Sequence, residues 1–155
     1  MRLALALLLL LWLSFAGAPA RAAEGGIAVV VGKLPGAPTA LGRAELLGIY
    51  GRKRELWDDR TPIVAINLPA SHPLRRDFSL WLFRRTPQDL QSYWNDQYFH
   101  GVLPPPVLAS EEAVLRFVAA TPGAVGYVSL CAVDKRVDVV AVLPASEPAA
   151  ACPSH

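Results

Sequence analysis

Four residues in one short stretch, Ser71, His72, Arg75 and Arg76, have the types and spacing to hold an anion. A helix start leaves backbone N–H groups without partners, and the helix dipole concentrates partial positive charge there. A serine and a histidine at that start add side-chain donors. Two arginines within the next turn add full charges. The same stretch also fits a plain helix cap, with Ser71 satisfying the free N–H groups and both arginines solvated. Other candidate chemistry is weaker. His72, His100 and His155 lack metal-ligand spacing, and two cysteines cannot build a structural zinc site unaided. Ser71 has no flanking glycines to form a nucleophile elbow. Asp58-Asp59 sits in a charged turn and reads as a solvated loop rather than an acid/base pair. No catalytic site, metal or cofactor is expected, and the chain does not read as an enzyme.

The elements around these residues must place them. Ile63 to Asn67 is a short apolar run behind Pro62, a strand whose carboxyl end opens directly into the Asn67–Arg76 turn. Ligands of α/β sheets collect at such strand ends. Pro73 suits a first helical turn, and Leu74, Phe78, Trp81 and Leu82 then give a core-facing stripe. Upstream, Ile27 to Val31 is a continuous apolar run, the pattern of a strand buried on both faces as in a parallel sheet. A helix is expected from Gly42, with Glu45 three residues on, to Gly51. Thr86-Pro87-Gln88-Asp89 reads as another helix start, with Leu90, Tyr93, Trp94 and Tyr98 on its buried side. Gly101 to Pro106 reads as extended chain. Ser110 caps a helix with Glu111 and Glu112 in its first turn and Val114, Leu115 and Val118 as its stripe. Strands follow at Gly126–Leu130 and Val137–Leu143. Most aromatics read as core; Trp57, set among charges, reads as partly exposed. The alternation of strand and helix predicts one compact α/β domain: three layers, with a small, mostly parallel sheet flanked by helices.

The N-terminus bounds the compartment. Arg2 precedes a 13-residue apolar run, Leu3 to Phe15, and Ala18-Pro19-Ala20 and Ala20-Arg21-Ala22 offer small-x-small cleavage signals. The run is shorter than the roughly 20 residues a spanning helix needs. Residues 1–22 therefore read as a secretory signal peptide, 23–145 as the domain and 146–155 as a flexible, Ala- and Pro-rich tail, with no membrane span after cleavage. Removing Arg2 and Arg21 lowers Lys plus Arg from 15 to 13, equal to the 13 Asp plus Glu. A neutral mature chain lacks the basic excess of a nucleic-acid binder. Cys131 and Cys152 are the two cysteines; in an oxidising compartment they could pair and tie down the tail, or Cys131 could be a small buried residue and Cys152 a free thiol.

The stretch from Leu46 to Val128, about 80 residues, resembles one lobe of the phosphate-binding proteins that serve ABC importers, a type II periplasmic binding protein fold. Ile49-Tyr50-Gly51 followed by Trp57 is similar to that family's helix end and aromatic turn. Phe117 to Val128 is similar to its Val-x-x-x-Pro-Gly-Ala-Ile-Gly-Tyr segment. Ser71 falls on the serine of the family's Ser-Gly-Thr helix start, while His72 and Pro73 take the glycine and threonine positions. Neither Asn67 nor Leu68 supplies the guanidinium that the family places at the strand end, and Arg75 is the residue that could reach back. The family's N-terminal phosphate loop has no counterpart after Val31. The resemblance is stronger to single-lobe envelope proteins of this kind. It implies a periplasmic, non-catalytic domain binding phosphate or another small anion for ABC-type uptake or sensing, with a transporter or other envelope protein as partner. The alternative it leaves open is an interaction module of an envelope complex that has lost its ligand.

Overall fold

The structure, a computed structural model, describes residues 25–149. The expected signal peptide and Cys152 lie outside the described residues. The chain runs β1 (Gly25–Gly32), α1 (Arg43–Tyr50), β2 (Val64–Ala65), α2 (Pro73–Phe83), α3 (Gln91–Phe99), α4 (Glu111–Ala120), β3 (Ala124–Ser129), a 3₁₀ turn at Leu130–Ala132, and β4 (Val137–Ala149). Four strands form one sheet in the order β2-β3-β1-β4. Every residue of β1 is buried, as its unbroken apolar run requires.

The α/β class stands, but the sheet is mixed rather than mostly parallel. β1 pairs antiparallel with both β3 and β4, and only β2 and β3 run parallel. An apolar run reports burial on both faces and is silent on direction. Direction here follows from the connections: α2 to α4 form a long crossover that brings β3 in parallel beside β2, and β3 then lies reversed against β1. β4 is an edge strand with register shifts at Gly25/Gly26 and Val29/Val30, and it contains Pro144 and Pro148. It continues to Ala149.

The starts of α1 and α4 form where the sequence places them. Ser110 Oγ accepts the Ala113 N–H at 3.2 Å, and Gly42 N–H donates to Glu45 Oε2 at 2.8 Å. Thr86 and Asp89 exchange their reciprocal bonds, but they close a turn, and α3 begins only at Gln91. That helix buries none of its residues: Leu90 is buried ahead of it, whereas Tyr98 and Phe99 are 63% and 85% exposed. Trp57 reverses its expectation too. It is buried, its indole N–H donates to the Gly123 carbonyl at 3.0 Å, and Arg54 lies 5.7 Å over its ring. The charges that flank Trp57 pair on the surface, Arg54 with Asp58 at 2.8 Å among them, and leave the ring free to turn inward.

Three rings join α1, α2 and β3. Phe78 stacks on Tyr127 with centroids 4.0 Å apart, and Tyr50 meets Phe78 edge-on at 4.7 Å. Such contacts add to the apolar area these side chains bury.

Candidate functional site

The end of β2 is fixed by hydrogen bonds to a second extended segment. Asn67 N–H donates to the Pro106 carbonyl at 2.8 Å, and Leu108 N–H donates to the Asn67 carbonyl at 2.9 Å, so Asn67 and Val107 form a parallel bridge. The run Pro104-Pro105-Pro106 is thereby held against the strand end. Asn67 is 2% exposed, and its Oδ1 accepts from the Tyr127 hydroxyl at 3.2 Å. The Tyr127 oxygen in turn accepts from Leu68 N–H at 3.3 Å, and Tyr50 hydroxyl donates to the Ile66 carbonyl at 3.3 Å. Burial pushes the Tyr127 phenol up to about 12 and the Tyr50 phenol well above its ordinary range. Both stay neutral near pH 7.

α2 starts beside this network, but Ser71 does not cap it. His72 does: it is extended at φ −73°, ψ 131°, and its Nδ1 accepts from Leu74 N–H at 3.3 Å. The cap moves to the histidine because Pro73 occupies the first helical position and leaves Leu74 N–H as the next free donor. The other ring nitrogen, Nε2, lies 4.0 Å from Glu111 Oε1, and Glu111 Oε2 accepts from Ser129 N–H. His72 and Glu111 thus bring the starts of α2 and α4 and the end of β3 together. Ser71 is exposed in the preceding turn.

The four expected site residues separate into two hollows. Ser71, His72 and Arg76 line one of about 840 Å³. Arg75 lines another of about 350 Å³ with Asn67, Trp94, Pro104, Pro105 and Val107. Ala70 and Gln88 border both. Arg75 is half-buried, and burial pulls it below the usual guanidinium value. No hydrogen bond or ion pair holds its guanidinium among the described residues, and no carboxylate lines its hollow. Trp94 also lines this hollow, while its Nε1 is itself buried with no hydrogen-bond partner among the described residues. Arg76 is exposed. Trp94 and the proline wall could not be read as site residues, because an aromatic at helical spacing and a proline run both fit scaffold equally well. Asn67, a polar residue closing an apolar strand, carried the only sequence signal.

Among the described residues no group of histidine, cysteine and acidic side chains could hold a metal, and no helix is long and apolar enough to cross a membrane. Cys131 is disulfide-bonded rather than a free thiol, while its expected partner Cys152 lies outside the described residues.

No protein-family model matches the chain, and neither does any curated protein. Solved structures do. An ABC-type phosphate transport receptor from Vibrio cholerae superposes with a TM-score of 0.62 at 26% identity, over 76% of this chain and 46% of the receptor. The chain has the fold of one phosphate-receptor lobe. An ABC transporter substrate-binding protein from Clostridium perfringens, solved with bound phosphate, matches at 0.60 and 20% identity, over 76% of this chain and 45% of its own. PstS from Borrelia burgdorferi matches at 0.55 and 16%, over 82% and 50%. The lobe-like chain therefore spans about half the length of these receptors.

Proposed function

We propose that this is an exported, non-catalytic solute-binding domain that holds a small anion at the end of β2 for uptake or sensing. The observation that carries the reading is Arg75: a half-buried guanidinium with no ion-pair partner among the described residues, lining a hollow in which none of those residues offers a carboxylate, on a fold shared with phosphate receptors. An unpaired charge withdrawn from water is costly, and an incoming anion offsets that cost. Asn67 lines the hollow beside Arg75, and Ser71, His72 and Arg76 line the neighbouring hollow that shares Ala70 and Gln88 with it. Arg2, the apolar run from Leu3 to Phe15 and the small residues after it support delivery to the periplasm, where a transporter or sensor would be the partner.

The test is thermal unfolding with phosphate, sulfate and small carboxylates at millimolar concentration. A ligand at about 100 times its dissociation constant adds roughly 2.7 kcal/mol, a rise on the order of 10 °C for a domain of this size. The rise should vanish in Arg75→Ala and persist in part in Arg75→Lys. Arg76→Ala, on the exposed neighbour, should change it little. A rise that survives Arg75→Ala removes this site.

A second reading has its own support. Tyr98, Phe99, Leu103 and Val107 are 63%, 85%, 60% and 57% exposed along the end of α3 and the segment after it. Exposed apolar side chains gathered in one stretch of chain are a feature of protein contact surfaces. If no anion shifts unfolding, an interaction module of an envelope complex becomes the better reading.

A further inference from the structure

Another hollow, of about 400 Å³, is lined by residues of α1, α2 and α3 and of the turns that follow α1 and α2. None of its lining residues lines the hollow beside Arg75 or the one around Ser71. α2 has His72 at its start and Phe83 at its end, and its 11 residues, at about 1.5 Å each, put those ends roughly 15 Å apart. The apolar lining is Leu47, Phe83, Leu90 and Tyr93. Leu47 is 38% exposed, which leaves apolar surface open to water. The Tyr93 hydroxyl is already used, donating to the Gly51 carbonyl at 3.0 Å. Two cations, Lys53 and Arg85, line the same space, and no carboxylate does. Neither cation forms an ion pair among the described residues. The acids closest to them in sequence are engaged elsewhere. Glu55 pairs with Arg52 at 3.2 Å. Asp89 feels the Arg85 charge, but its carboxylate accepts from the Thr86 N–H and hydroxyl at 3.1 and 2.7 Å.

Apolar lining and unpaired positive charge around one space call for a ligand that has both an apolar body and an anionic group. An inorganic anion would leave the apolar lining wet, and a neutral apolar molecule would leave both cations unanswered. The volume, about 400 Å³, lies within the roughly 300–1,000 Å³ of small-molecule sites. We propose that this hollow binds a small amphipathic organic anion, an acyl or aryl carboxylate, with its body against Leu47, Phe83 and Tyr93 and its charge answered by Lys53 and Arg85. The site stands apart from the anion site at the end of β2 and does not depend on it.

Amide NMR titration of the chain with phenylbutyrate, phenylbutanol and inorganic phosphate tests this. Phenylbutyrate should shift the Leu47, Gly48 and Gly51 amides, and phosphate should not. Phenylbutanol, with the same body and no charge, should bind about five- to ten-fold more weakly, the scale of two exposed ion pairs. Lys53→Gln combined with Arg85→Gln should weaken phenylbutyrate by that same factor and leave phenylbutanol unchanged. Both side chains are exposed, so the fold should tolerate the change, and the wild-type ranking decides the matter if it does not. Acid and alcohol binding equally well at these amides would overturn the anion assignment and leave a purely apolar site. Shifts confined to residues around Arg75, or no shift at these amides with millimolar phenylbutyrate, would overturn the proposal. The phosphate arm reports on Arg75 separately, so either site can fail without the other.

Discussion

Tyr127 shows how much of the site depends on one hydroxyl. It donates to Asn67 and accepts from Leu68 N–H, its ring stacks on Phe78, and its phenol is held up to about 12. A pKa raised by folding gives stability that is complete below the unfolded value near 10 and is lost as pH rises through the folded value. Alkaline titration should therefore cost the wild type on the order of 2–3 kcal/mol between about pH 10 and 12 from this group. Tyr127→Phe should lower stability at pH 7 by about 1–3 kcal/mol, because Asn67 Oδ1 loses its donor, and should flatten that alkaline slope. Denaturant melts at pH 8, 10 and 11.5 check both expectations. Ser71, His72, Arg75 and Arg76 were legible as a group from their spacing at a helix start. Their division was not, because successive helical residues point 100° apart and only packing decides which arginine turns inward.

Among the elements, the starts and stripes of α1 and α4 were readable and the strand directions were not. Val114, Leu115 and Val118 are buried on α4 as their spacing demands. The α3 stripe held only in part: Tyr93 and Trp94 are half-buried, with the Tyr93 hydroxyl donating to the Gly51 carbonyl at 3.0 Å, whereas Tyr98 at the helix end is exposed, and period alone does not reveal where the packing stops. The Thr121–Gly123 turn between α4 and β3 carries a sharper constraint. Gly123 has φ +76°, and a Cβ there would run into the Pro62 carbonyl. The same glycine's carbonyl accepts the Trp57 indole N–H and the Val64 N–H. Gly123→Ala should thus destabilise by about 2 kcal/mol or more, since left-handed backbone alone costs an alanine roughly 1–2 kcal/mol. A lower denaturant midpoint followed by tryptophan fluorescence would report it; an unchanged midpoint would show that the turn relaxes freely.

At the scale of the whole molecule, surface charge links elements far apart in sequence. Arg136 bridges Asp134 at 2.6 Å and Glu112 on α4 at 2.7 Å. Hydrogen bonds from Arg136 hold Asp134 down at about 2 and lower Glu112 as well. Carboxylates held below their unfolded values lend stability that is present above about pH 4 and fades as pH falls toward 2. Arg136→Met should lower the melting temperature at pH 7 by no more than a few degrees, given solvent screening, and the gap from wild type should close by pH 2. A gap that persists in acid would assign the effect to packing. The sheet itself has a consequence for recognition. On its β4 side, two prolines interrupt the far half of the strand and Leu41 N–H already takes the Val140 carbonyl, and on its β2 side the Pro106–Leu108 segment already takes the Asn67 backbone groups. A visiting strand finds little main chain left to zip onto at either margin, so whatever docks on this domain has to read its side chains rather than lengthen its sheet.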